Sequence, residues 1–172
     1  SARNTAAAIG LAAVHLVHSD PESMMVILPA DHHVRDAQSF CKAIGLAASV
    51  AHDSTIVTLG IQPSRPETGY GYIECGKARE ISGAFDVSAF KEKPEASVAK
   101  DYLASGNYYW NAGVFIARAD TMLEQLKLHQ KELYAGLMEI AGFIGKSDYH
   151  EHLERIYSSL PSISIDYAVM EN

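Results

Sequence analysis

Apolar residues fall at helical spacing in some stretches of the chain and in short unbroken runs in others. From Asn4 to His18 the run NTAAAIGLAAVHLVH places Ile9, Ala12, Ala13, Leu16 and Val17 at helical intervals, with Asn4 or Thr5 available as a cap. MMVILPA, Met24 to Ala30, is instead a continuous apolar run closed by proline, the pattern of a strand buried on both faces. Helical spacing returns between Asp36 and Asp53, with Phe40, Ile44, Ala47 and Val50 on one face. STIVTLGI, Ser54 to Ile61, reads as a second buried strand. Helix, strand, helix, strand predicts an α/β layer with right-handed crossovers.

The pattern then changes. Gly69 to Pro94 reads as strands and turns, with partial alternation around Phe85, Val87 and Phe90. Within RPETGYGYIECG, Gly69 and Gly71 alternate with Tyr70 and Tyr72, which strips side chains from one face of a strand that tyrosine and isoleucine otherwise favour. Either the chain bends there or something comes close to its backbone. Glu95 to Gly106 predicts a short helix stopped by Gly106, and NYYWNAGVFIA, Asn107 to Ala117, a strand interrupted by Gly113. From Asp120 onward one or two helices and then DYHEHLERIYSSL as another are expected before Pro161. No repeat or linker breaks the 172 residues, so one domain is expected.

A net charge of −7 argues against a nucleic-acid partner, which calls for a basic face. No apolar run reaches the roughly 18 residues that cross a bilayer, and no basic start followed by an apolar stretch marks a secretory signal. Cys41 and Cys75 have no metal-ligand spacing and read as free thiols, which fits a cytoplasmic protein.

Candidate chemistry is thinly spread. Asp31 follows a predicted strand, where α/β sheets bind ligands, and suits Mg²⁺ that arrives with phosphate oxygens; the competing reading is a helix cap or turn residue. His32 and His33 lack a third ligand at any zinc spacing, and His15, His18, His150 and His152 read as surface histidines on helices. Glu92 and Lys93 in FKEKPE could grip a sugar hydroxyl and a phosphate, or simply form a solvated strand end. Asn111, an amide in an apolar strand, needs partners, either a ligand or a neighbouring loop. No phosphate-cradling G-x-x-x-x-G-K-S/T or G-x-G-x-x-G loop and no nucleophile triad is present.

ARNTAAAIGLAA, LPADH, PETGYGYI, FKEKP, YYWNAGVF and SISIDYAVME, in that order, resemble bacterial mannose-1-phosphate guanylyltransferases over Ala2 to Asn172. The resemblance implies a Rossmann-like mixed, mainly parallel sheet flanked by helices, of the nucleotide-diphospho-sugar transferase type. Residues 1–172 would be an internal part of such a catalytic domain, without its N-terminal glycine-rich loop and C-terminal segment. It implies GTP and mannose 1-phosphate as substrates, Mg²⁺ as cofactor, no nucleic acid and no membrane, and leaves room for a homodimer. Residue by residue, Arg3, Asn4 and Thr5 match the guanine side, Asp31 the metal ligand, and Gly69 and Tyr70 the turn that approaches mannose. Glu92 and Asn111 match sugar-hydroxyl contacts and Lys93 the cation on the sugar phosphate; Asp166 lies in a shared motif without an assigned role. The glycines would then let a hexose lie against the backbone. Ala7, Ala112 and Asn172 stand where proline, serine and lysine are usual, and the change at Ala112 removes a hydroxyl near the sugar. A thymidylyltransferase acting on glucose 1-phosphate and a non-catalytic regulatory relative are the alternatives.

Overall fold

The computed structural model describes residues 2–52 and 54–172; Asp53, where the predicted second helix ends, lies outside the described residues. In chain order the elements are α1 (Asn4–Ser19), β1 (Met24–Ile27), α2 (Ala37–Ala51), β2 (Val57–Ile61), β3 (Tyr72–Ala78) and β4 (Phe85–Lys91). They continue with α3 (Ala96–Ser105), β5 (Tyr108–Arg118), α4 (Ala119–His129), α5 (Lys131–Ala141), α6 (Tyr149–Tyr157) and a π-helical turn, Asp166–Met170. These elements form two compact units: the residues up to Met25 with Ala117–Met170 and Asn172, and Val26–Ile116 with Glu171. None of the described helices is long and apolar enough to cross a membrane.

In the helical unit α1 packs on α4 and α5, and α5 on α6. The buried stripe of α1 is Ala6, Ala7, Ile9, Gly10, Ala13 and Val14, so Ala12 of the predicted face turns outward. The small residues decide that rotation: a Cβ on Gly10 would overlap Leu137 and press on Leu126, so the helices approach over that one position. Leu126, Leu133, Leu137 and Ile140 are fully buried there. The expected Asn4 or Thr5 cap does not form; the capping position is Arg3, without a side-chain bond. Asn4 takes φ 62° and accepts the Thr5 N–H on its own Oδ1 at 2.8 Å. The Ala6 N–H, an orphan donor of the first turn, finds the Ile163 carbonyl at 3.2 Å, and Thr5 Oγ1 accepts the Ile165 N–H at 2.8 Å. Arg118 grips Asp120 through one guanidinium edge, its Nε donating to Oδ1 at 3.0 Å and its Nη2 to Oδ2.

The sheet runs β1-β5-β3-β4, with β2 also paired to β5. The ladders β2–β5, β3–β4 and β3–β5 are antiparallel, where the sequence suggested a mainly parallel sheet. The α/β class holds, but the aromatic strand β5 pairs with β1, β2 and β3 and runs against two of them. Burial of the Met24–Ala30 run on both faces is not met either: Val26 of β1 and Leu28 just beyond it are 42% and 51% exposed. The strand stands at the end of the order, and α2 packs on β2. Asp36 caps α2, its Oδ1 accepting the Ser39 N–H at 3.0 Å. Gly106 ends α3 in the left-handed conformation, as its position predicts. Tyr72, Ala99 and Trp110 form a buried cluster joined by Tyr102 and Tyr108, whose rings stack at 3.9 Å.

Candidate active site

The site grows out of the Arg65–Tyr70 turn. Glu67 Oε1 accepts the Thr68 and Gly69 N–H groups at 3.1 and 3.2 Å, while Oε2 takes Arg65 Nε and Nη2, both at 3.1 Å. Those donors, the Gly69 N–H first and then the Arg65 guanidinium, hold the Glu67 carboxyl below its ordinary range. Arg65 lies over the Trp110 ring at 5.5 Å, Tyr70 meets Trp110 edge-on at 5.3 Å, and Tyr72 Oη donates to the Glu67 carbonyl at 2.8 Å. A glutamate, a cation and three aromatic rings therefore set the path of the backbone through Gly69 and Tyr70.

Gly71 explains the stripped strand face. A Cβ there would stand 2.5 Å from Glu92 Oε2 and 3.4 Å from Asn111 Cβ. The space beside Gly71 is thus taken by the protein's own carboxylate, a close approach that the missing side chain admits. At Gly69 the nearest atom to an added Cβ is Glu67 Oε1 at 3.4 Å, an ordinary contact. The Asn111 N–H donates to the Gly71 carbonyl at 2.8 Å and the Lys93 N–H to the Tyr70 carbonyl at 3.2 Å, so three chain segments are tied at one point. The Glu92 side chain is 11% exposed and meets Lys93 Nζ at 3.3 Å, while Lys93 is 57% exposed. Asn111 Oδ1 accepts from Thr58 Oγ1 at 2.9 Å and from the Gly113 N–H at 3.0 Å, which fixes the orientation of its amide. Gly113 sits at φ 66°, a left-handed kink that lets its N–H turn back onto that side chain.

Tyr70, Glu92, Lys93 and Asn111 are thereby brought together, with Gly69 at the head of the same turn. Asp31 belongs to the same unit. It is exposed, follows β1, and lines a cavity of about 1070 Å³ with Ala112 and with Phe40, Val50, Phe85 and Val87. That cavity is mainly apolar, and none of Gly69, Tyr70, Glu92, Lys93 or Asn111 lines it. Asp36 is the cap of α2, so the capping alternative for Asp31 falls away. Among the described residues no three His, Cys, Asp or Glu side chains group as a metal site. A single exposed carboxylate fits Mg²⁺ carried in on phosphate oxygens and does not fit an ion held by protein alone. Arg3, Asn4 and Thr5 lie in the other unit, where Arg3 Nε is buried without a hydrogen-bond partner.

Sequence reasoning missed Glu67, Thr58 and Trp110. The turn signal Pro-Glu-Thr-Gly was legible, but a carboxylate that ties down its own turn reads like any solvated glutamate. The helix histidines are engaged rather than idle: His15 Nε2 meets Tyr149 Oη at 2.6 Å, and His152 stacks on Phe143 at 3.6 Å.

The profile of the nucleotidyl transferase family matches residues 1–143, and the chain belongs to that family. Xanthan biosynthesis protein XanB of Xanthomonas campestris pv. campestris is 43% identical over 171 residues, covering 98% of this chain and 36% of that protein. A mannose-1-phosphate guanylyltransferase of Salmonella montevideo is 41% identical over 174 residues, covering 98% and 36% respectively. The chain therefore spans about a third of the length of these relatives. A solved structure from Thermus thermophilus, described as a mannose-1-phosphate geranyltransferase, superposes with a TM-score of 0.87 at 35% identity. That match covers 100% of this chain and 48% of the other.

Proposed function

We propose that the protein transfers a guanylyl group from GTP to mannose 1-phosphate, giving GDP-mannose and pyrophosphate. The observation that carries this reading is the convergence of Glu92 and Asn111 on Gly71, with Lys93 Nζ beside Glu92: a shielded carboxylate and an amide for hydroxyls beside an exposed ammonium for a phosphate. The names of the similar proteins point the same way.

The chemistry asks little of the protein in covalent terms. A phosphate oxygen of the sugar phosphate attacks the α-phosphorus of GTP, the bond from that phosphorus to the bridging oxygen breaks, and the electron pair leaves with pyrophosphate. Catalysis rests on positioning and on neutralising charge. Glu92 and Asn111 would hold the hexose, with Lys93 on its phosphate. Arg3, Asn4 and Thr5 would meet the guanine, and the partnerless Arg3 Nε is a donor suited to a nucleotide acceptor. Asp31 would hold Mg²⁺, which supplies Lewis-acid stabilisation of the phosphates when bound.

The test is pyrophosphate release by the protein carrying this sequence, with mannose 1-phosphate or glucose 1-phosphate as acceptor. Asp31→Asn and Lys93→Met should each lower kcat by about 10²–10³-fold, the loss typical of removing one charge-stabilising group. Near-normal rates in either variant, or indifference to the sugar, would sink the assignment.

A further inference from the structure

The motif SISIDYAVME matches the family, yet the proposed reaction gives none of its residues a task. Glu171, its last residue, groups with the sheet unit, whereas the π-helical turn just before it groups with the helices. Its Oε1 accepts the Glu92 N–H at 2.9 Å and lies 3.4 Å from Lys91 Nζ. The carboxylate therefore grips the backbone at the one point where the chain turns from Lys91 to Lys93.

That turn is strained. Lys93 has φ 47°, a left-handed conformation that non-glycine residues rarely take, and it precedes Pro94, which favours an extended predecessor. Such a conformation persists only where the surroundings over-determine it. Two contacts hold the main chain leading into Lys93: the Glu92 N–H on Glu171 and the Lys93 N–H on the Tyr70 carbonyl. The first is charge-assisted and thus the stronger. With the backbone so fixed, Glu92 points onto Gly71 and Lys93 Nζ stays 3.3 Å from Glu92 Oε1, with most of its length in solvent.

We propose that Glu171 is a positioning residue: through the Glu92 amide it holds Lys93 in its left-handed conformation, and so places the ammonium that meets the sugar phosphate. This rests on the guanylyltransferase reading for the identity of the ligand, but the backbone role stands on the contacts alone.

Two measurements test it separately. In NMR spectra of the wild-type chain the Glu92 amide proton should lie far downfield and Lys93 should show the amide–Hα coupling of a positive φ; both should be lost in Glu171→Ala. In the protein carrying this sequence, Glu171→Ala should raise KM for mannose 1-phosphate about tenfold, as expected when a charge-assisted bond that orders a binding group is removed. KM for GTP should stay within a factor of about two, since no GTP contact is disturbed. Glu171→Gln keeps an acceptor oxygen and should recover most of the loss; a general folding defect would instead move both KM values together. An unchanged Lys93 coupling in Glu171→Ala overturns the positioning role whatever the ligand is. Wild-type KM for mannose 1-phosphate in a Glu171→Ala protein that turns over overturns the link to the substrate. A wild-type protein that fails to use mannose 1-phosphate defeats the functional reading, and the coupling then judges Glu171 by itself.

Discussion

The helical unit and the sheet unit use close approach in opposite ways. In the first, Gly10 lets α1 come down on Leu137 and Leu126, and what fills the gap is hydrocarbon. In the second, Gly71 admits the carboxylate of Glu92 beside Asn111, and what fills the gap is polar. The same residue type at similar tightness serves apolar packing in one place and a polar cluster in the other. The backbone follows suit: Lys93 and Gly113, both at positive φ, flank the polar cluster, whereas Leu126, Leu133, Leu137 and Ile140 sit fully buried in regular helix. Strain gathers where hydrogen bonds must be aimed, and regularity where only volume must be filled.

The largest expected effect separates the two units most sharply. Lys93→Met should remove about 10²–10³-fold of turnover, as loss of a charge-stabilising group does. Its melting temperature should stay put, because an exposed side chain is exchanged; a large fall in Tm would blur the contrast. Leu137→Ala should do the reverse, costing about 2–5 kcal/mol of stability in a denaturant titration while the folded fraction keeps its specific activity. Gly71→Ala lies between them. The added methyl must displace the end of the Glu92 side chain and press on Phe90 and Asn111, and should cost about 1 kcal/mol, the low end for an inserted methyl. It should also raise KM for mannose 1-phosphate more than KM for GTP in steady-state kinetics, and equal changes in both would detach Gly71 from the sugar.

The smallest effects are those of pH. In the sheet unit, Glu67 is held below its ordinary range by the Gly69 N–H and then by Arg65. A depressed folded value means that the tie is complete above the unfolded carboxyl pKa of about 4.3 and is lost as pH falls through the lower folded value. An NMR titration should therefore show the Gly69 amide constant near neutrality and moving only in acid; a midpoint at or above the ordinary value would refute the tie. Asp120 in the helical unit is also lowered, first by the Arg118 guanidinium. Its contribution to stability is likewise present above about 3.9 and lost below the folded value. Asp120→Asn should flatten the acid side of the Tm profile without touching sugar binding, whereas Glu67→Gln should affect both.

Much of the architecture was legible because periodicity reports burial directly. The Gly106 stop and the aromatic strand follow from residue type and spacing alone, and so did the existence, though not the orientation, of the α1 stripe. Resemblance of the ordered motifs singled out Glu92, Lys93 and Asn111, and only Asn111 stands out by itself, as an amide in an apolar strand. What the chain could not disclose by spacing is which strand lies against which. The pairing of β5 with β2 and β3 gave antiparallel ladders where a mixed, mainly parallel sheet was expected, because strand partners are chosen by faces that meet only in the folded molecule. The same holds for the true neighbour of Gly71 and for Glu171, which finds the Glu92 amide across 79 residues of chain. Composition and period determine which residues are buried or aimed; distance in space, created only by folding, decides what they meet.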